Sequence, residues 1–385
     1  MSYTNHYVKF IKRPESRPTE DVFEMAQENI SELKSGEFLL KNVYLSLDPA
    51  MVGRMREESN YADSVEVGGV MHCYGIGQVI ESKNPKVSKG ELRMGQLNMQ
   101  EYTLSNNPED SSKINVGLAD PTWYLSVTGI TGMTAYFAMR DICQPKSGET
   151  IVISAGASSV GMIAAQLAKK AGCRVVAIVS TDEKAEGLRG GGIYDDAVSY
   201  RNKDTDTLTA DLTLACPGGV DMYFDNTSGD ISEALLDLYN DYSRIAVIGR
   251  LGISHLPDTR KDVGRRDNNV ILAKRISKQG MVLLDYKSQY PEAIIQLSGM
   301  VHRKEIRFEE DMMHGIEKMP TAFFRVLDGK NKGKQLVKVG DINSYDDPSP
   351  VKIGQSIRSK KWLNGFVVNA LRSTRTVKSL LPMRA

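Results

Sequence analysis

No uninterrupted apolar run in these 385 residues reaches membrane-spanning length. The opening MSYTNHYVKFIKR also lacks the apolar segment of a secretory signal, so the expectation is a soluble, cytoplasmic protein. Cysteine is scarce: Cys73, Cys143, Cys173 and Cys216 stand far apart, with none of the short spacings of a zinc site or a disulfide framework. They read as four separate small hydrophobes. His6, His72, His255, His302 and His314 are equally scattered, and no metal is expected. Acidic residues are missing from one end, where Ser349 to Ala385 holds eight Lys or Arg and no Asp or Glu. The formal charge of the whole chain is only +1, so the remainder is net negative and nucleic acid is not an expected partner. Within that basic extension, Trp362, Leu363, Phe366, Val367, Ala370 and Leu371 recur with helical spacing. The extension reads as a variable appendage, a cover for another subunit, or a weak contact to an anionic surface.

What is present points to a nucleotide-binding α/β protein. The length suffices for two domains. Short apolar runs at Phe38 to Leu47, Gly75 to Glu81 and Gln100 to Leu104, separated by turn signals, predict a compact β region, with Asp48-Pro49 turning the chain after the first. The pattern then changes. Thr150 to Ser180 reads TIVISAGASSVGMIAAQLAKKAGCRVVAIVS: an apolar strand at Ile151 to Ser154, a small-residue turn, a helix at Val160 to Lys170 and a second strand at Arg174 to Val179. In such a βαβ unit Gly156 permits a tight turn. Gly161 lets the helix pack close, so its first N–H groups can face a pyrophosphate.

After the second strand, Asp182 and Glu183 suit either an adenosine ribose or the negative first turn of a helix, while Lys184 suits the extra phosphate of NADP. With Arg189 or the neighbourhood of Tyr200 completing the pocket, Lys184 favours NADPH over NADH. Gly219 to Asn226 predicts another strand, with Asn226 at its carboxyl end, where ligands of open α/β sheets bind; Asp225 suits a turn cap. Ser243 to Gly249 and Gly280 to Leu284 continue the sheet, helices follow at Pro291 to Val301 and Met319 to Leu327, and Lys334 to Val339 is a final strand.

Several motifs in order and spacing resemble the zinc-independent medium-chain dehydrogenase/reductase superfamily, specifically the leukotriene B4 dehydrogenase, prostaglandin reductase and curcumin reductase family. They are NVYLSLDP at Asn42 to Pro49, YLSVTGITGMTAYFAM at Tyr124 to Met139, DEK at Asp182 to Lys184, GVDMYFDN at Gly219 to Asn226, and GKNKGKQLVKV at Gly329 to Val339. The resemblance runs from about Val8 to Gly340. It implies an α/β fold, a GroES-like β domain plus a Rossmann nucleotide-binding domain: residues 1–125 and 301–342 as the two parts of the first, 126–300 as the second, and 343–385 as the basic extension. It implies NADPH-dependent reduction of the activated carbon–carbon double bond of 2-alkenals or enones, and a homodimer. Cofactor contacts fall to Ser158, Ser159, Val160, Gly161, Lys184, Tyr200, Asn226, Gly249 and Asn331.

The sequence departs from the family in three places. Ser158 stands at the usual middle glycine of the turn; DPAMV at Asp48 to Val52 replaces DPYMR; and in IGRLGISH, Ser254 replaces a tyrosine linked to substrate placement or proton delivery. Ser254 and His255 are therefore the candidate catalytic positions, beside water, with Tyr44 and Tyr286 as alternatives. Two other functions are open to such a sequence: a quinone or alcohol oxidoreductase, and a catalytically weak NADPH-binding sensor or scaffold.

Overall fold

The computed structural model of the protein describes residues 3–57, 63–254, 256 and 258–343. His255 and the pattern around Trp362 lie outside them.

Two large sheets organise the described residues. The first is mostly antiparallel and uses β3 (Phe38–Ser46), β4 (Tyr74–Ser82), β5 (Leu92–Gln96), β6 (Tyr102–Ser105) and β7 (Ser111–Lys113), preceded by a hairpin of β1 (Tyr3–Phe10) and β2 (Phe23–Ile30). The second is wholly parallel: β8 (Thr150–Ser154), β9 (Arg174–Val179), β10 (Asp196–Ser199), β11 (Val220–Asp225), β12 (Tyr239–Val247) and β13 (Ser277–Gly280), in the order β10-β9-β8-β11-β12-β13. That is the doubly wound nucleotide-binding order, whose switch point falls between β8 and β11. The chain then returns to the first sheet with β14 (Glu310–His314) and β15 (Lys334–Lys338); β15 pairs antiparallel with the end of β3.

The apolar runs of β8 and β9 follow from burial on both faces. Ile151, Ile153, Val175 and Ala177 pack into one core with the helix Ser159–Lys170, whereas Val152, Val176 and Ile178 pack into another with Leu208 and Leu212. Burying a Val or Ile side chain fully contributes about 1.5–3 kcal/mol. A third core, around Phe38, Leu45, Met55 and Phe323, fills the first sheet.

The expected strand at Gly280 to Leu284 is displaced. The observed strand is Ser277–Gly280, all four residues exposed at the sheet's edge, while Met281 turns inward and Leu283 opens a 3-10 stretch. An edge strand with solvent on both faces carries no apolar run, so the pattern pointed to the neighbouring buried residues instead.

Candidate functional site

The glycine turn between β8 and the helix α1 (Ser159–Lys170) is built on contacts that leave no room for side chains. A Cβ on Gly156 would come 2.7 Å from the Cβ of Ala177 on β9, and one on Gly161 would come 2.7 Å from the carbonyl oxygen of Ala155. The left-handed position of the turn is occupied by Ala155, with φ 49°, and not by a glycine. Ser158 is the N-cap: its Oγ accepts the Gly161 N–H at 3.1 Å. A hydroxyl that accepts in this way still has its own hydrogen to donate, so a serine at a usual glycine position can cap the helix and meet a phosphate oxygen together. Ser159 donates to the Thr131 hydroxyl at 3.3 Å, and Ser158, Ser159 and Val160 are half-buried above buried Gly161.

Lys184 lies on the helix α2 (Asp182–Arg189) after β9. Its Nζ donates to the carbonyl oxygen of Gly329 at 2.7 Å, in the loop before β15. Burial, and after it the like charge of Arg201, holds its pKa below the usual lysine value. Asp182 and Glu183 occupy the first turn of α2, and Asp182 accepts a hydrogen bond from Ser199. Arg189 is turned to Asp196 and the carbonyl oxygen of Ala197. The second cation beside Lys184 is thus Arg201, which follows half-buried Tyr200.

Asn226 spans the switch point. Its Nδ2 donates to the carbonyl oxygen of Ser154 at 2.6 Å, and its backbone N–H donates to Ser154 Oγ at 2.9 Å. Asp225 is buried and caps the following turn, accepting from the N–H groups of Thr227 and Ser228 and from Ser232 Oγ. Gly249 lies against Asn226: a Cβ there would meet the Asn226 carbonyl oxygen at 3.0 Å. Beyond it the N–H groups of Leu251 and Gly252 donate to the carbonyl oxygens of Asn226 and Thr227. The Ser254 hydroxyl donates to the Leu251 carbonyl oxygen at 2.8 Å, and Arg56 donates to the Ser254 carbonyl oxygen at 2.6 Å. Asn331 sits in the Gly329 loop, where its Nδ2 donates to the Gly333 carbonyl oxygen at 2.7 Å.

The glycine turn, Asn226 and Gly249 therefore share the carboxyl edge of one sheet, while Lys184 ties the next strand's helix to the loop of Asn331. Sequence reasoning missed two supports: Tyr194, buried, donates its hydroxyl hydrogen to the Gly156 carbonyl oxygen at 2.7 Å, and Ser154 holds Asn226. Of the two places expected to supply a second base, Arg189 is engaged elsewhere and the neighbourhood of Tyr200 supplies Arg201. Among the described residues, no group of three or more His, Cys, Asp or Glu is arranged to hold a metal ion.

Two family profiles match the chain, one described as the N-terminal domain of oxidoreductase over residues 6–114 and one described as zinc-binding dehydrogenase over residues 159–299. The putative NADP-dependent oxidoreductase YfmJ of Bacillus subtilis (strain 168) is 35% identical over 89% of this chain and 99% of that protein. The NADP(+)-dependent 2-alkenal reductase of Nicotiana tabacum is 35% identical over 79% of this chain and 88% of that protein. Among solved structures, CurA from Vibrio vulnificus in complex with NADPH matches with a TM-score of 0.80 at 30% identity, over 87% of this chain and 99% of that one.

Proposed function

The chain belongs to the zinc-independent medium-chain dehydrogenase/reductase family of NADP-dependent alkenal, curcumin and prostaglandin reductases, and we propose that it reduces the activated carbon–carbon double bond of a 2-alkenal or enone with NADPH. The observation that carries this reading is the joining of the glycine turn, Asn226 and Lys184 around one sheet edge. The cradle at Gly156 and Gly161 suits a pyrophosphate, because any side chain there would collide with backbone or with Ala177. Lys184 and Arg201 suit an added phosphate, whose charge of roughly −1.5 to −2 would relieve their repulsion.

When bound, NADPH supplies a hydride to the electron-poor β carbon. The protein's residues hold, orient and shield. Ser158 through Gly161 hold the diphosphate, Lys184 and Tyr200 the adenosine end, and Asn226, Gly249 and Asn331 the nicotinamide side. The substrate oxygen gains charge as the hydride arrives, so a donor beside it and a proton for the α carbon complete the reaction. Ser254 has already committed its hydrogen to Leu251, which suits it to shaping the substrate wall while water delivers the proton. The test is stereospecifically deuterated NADPH with a simple enone. Product NMR should place the label on the β carbon; label on the carbonyl carbon would establish alcohol-dehydrogenase chemistry instead.

A homodimer fits the open edge of the parallel sheet. The four residues of β13 are exposed, and Leu272, on the helix Asn268–Lys274 that precedes it, is 78% exposed, a combination that invites a second copy. Analytical ultracentrifugation should give a dimer, and a monomer at micromolar concentration would end this part of the reading. No helix among the described residues is long and apolar enough to cross a membrane, which is consistent with a cytoplasmic enzyme.

A further inference from the structure

The loop of residues 328–333 carries Asn331 and is pinned at both ends. At its far end Lys334, 3% exposed, donates to the Leu47 carbonyl oxygen at 3.2 Å and pairs with Asp48. At its near end Asp328 is paired with Arg17 and Lys330, and the Gly329 carbonyl oxygen accepts Lys184 Nζ. Lys184 thus reaches out of the nucleotide-binding sheet to the return loop. Gly329 has φ 63°, and a Cβ there would lie 3.0 Å from Nζ, so the ammonium is set against the loop backbone.

We propose that Lys184 is a positioning residue as well as a phosphate ligand: through Gly329 it couples occupation of the adenosine-phosphate pocket to the placement of the Asn331 loop. The inference rests on the NADPH reading above. An ammonium has three N–H donors, and one on Gly329 leaves two for a phosphate. Burial, and after it the repulsion of Arg201, disfavours the charged form of Lys184. A phosphate between the two cations removes that repulsion and fixes the ammonium, so the loop at the nicotinamide side is set by a group at the other end of the cofactor. NADPH is then distinguished from NADH in turnover as well as in affinity.

The deciding experiment needs no catalysis. Amide hydrogen exchange is followed on the full chain alone, with adenosine 5′-phosphate, and with adenosine 2′,5′-bisphosphate, which lacks the nicotinamide. The amides of Gly329, Lys330 and Lys332 report on the loop, since they donate to Val326, Arg325 and Asp311. The bisphosphate should slow their exchange by about three- to tenfold, the effect of one added hydrogen bond, while the monophosphate leaves it unchanged. Lys184→Ala should abolish the difference at saturating ligand. Gly329→Ala, which keeps the lysine but crowds Nζ, should bind the bisphosphate and lose the protection. Equal protection by both nucleotides, or full protection in either variant, would overturn the coupling. A second readout uses NADH as donor: inorganic phosphate should raise kcat in the wild type and not in Lys184→Ala, against chloride at matched ionic strength. Phosphate that changes only the KM for NADH would also overturn it. If enone reduction is absent altogether, the functional reading fails, and the exchange result still decides the coupling.

Discussion

Gly156→Ala tests whether the glycine turn is defined by its contact with β9. The added Cβ would stand 2.7 Å from Ala177 Cβ, 3.3 Å from Ala177 Cα and 3.2 Å from the Tyr194 hydroxyl. Two carbons in van der Waals contact sit about 3.5–4.0 Å apart, so the turn must retreat by roughly 1 Å. Ala177 cannot yield, being wholly buried and paired with β8 and β10. Overpacking of this kind costs about 1–3 kcal/mol. The displaced turn carries the N–H groups proposed to hold the diphosphate, so NADPH affinity should fall as well. Ala177→Gly removes the nearest colliding atom and alone should cost about 0.5–1 kcal/mol, the usual loss for glycine in a strand. In the double variant the Cα and hydroxyl contacts remain, so recovery should be partial. Urea denaturation of the four proteins should give a favourable coupling of about 1 kcal/mol, and calorimetric titration a parallel recovery of NADPH affinity. Strict additivity in both measurements would refute this account of the turn.

Ser158→Ala removes the cap of α1 and the proposed phosphate donor together; stability should fall by about 1 kcal/mol, and NADPH should bind more weakly by a further margin that calorimetry can separate. Unchanged NADPH affinity would leave the serine a cap alone. Lys334→Met takes the cation from Asp48, leaving it the Ser46 hydroxyl, and should cost about 3–5 kcal/mol by urea denaturation, much of it recovered in Lys334→Met with Asp48→Asn; a loss under 1 kcal/mol would contradict the pairing. Burial pushes the thiols of Cys143, Cys173 and Cys216 up to about 12 and raises that of Cys73 still further. The folded state therefore keeps protons that the unfolded chain releases above about pH 8.5, so stability should be undiminished below that pH and fall as pH rises from there towards 12. Iodoacetamide at pH 8 should leave the folded protein unmodified and label all four sites after unfolding, and rapid labelling of the folded protein would contradict the burial.

The nucleotide half was legible because its signals are local. Ile151 to Ser154 and Arg174 to Val179 are apolar for reasons that act on each strand separately, and the turn between them is short. β13 and β14 were not legible: SKQG and EDMMH become strands through their neighbours, and neither has the apolar alternation that marks one. In the site, residue type announced Lys184 and Asn226 but could not show the partners they had taken. Lys184's acceptor lies 145 residues away, and Ser154 lies 72 residues before Asn226. Tyr194 gave no sign at all, since a tyrosine under a glycine turn reads like any other core aromatic. The left-handed turn residue was equally hidden, because an alanine is not expected to adopt that conformation beside an available glycine.

The return of β15 to β3 has a consequence for synthesis. Asp48 leaves the ribosome 286 residues before Lys334, its partner in the finished sheet. At ~5–20 residues per second that interval is roughly 15–60 s. Throughout it, the end of β3 at Tyr44 to Ser46 lacks the strand that will pair with it, while all six strands of the parallel sheet emerge and can close. The interrupting sheet is thus complete before the one it interrupts. A nascent chain stalled in that interval exposes an unpaired edge and an unneutralised carboxylate, which leaves the growing polypeptide open to wrong strand pairing until β15 emerges.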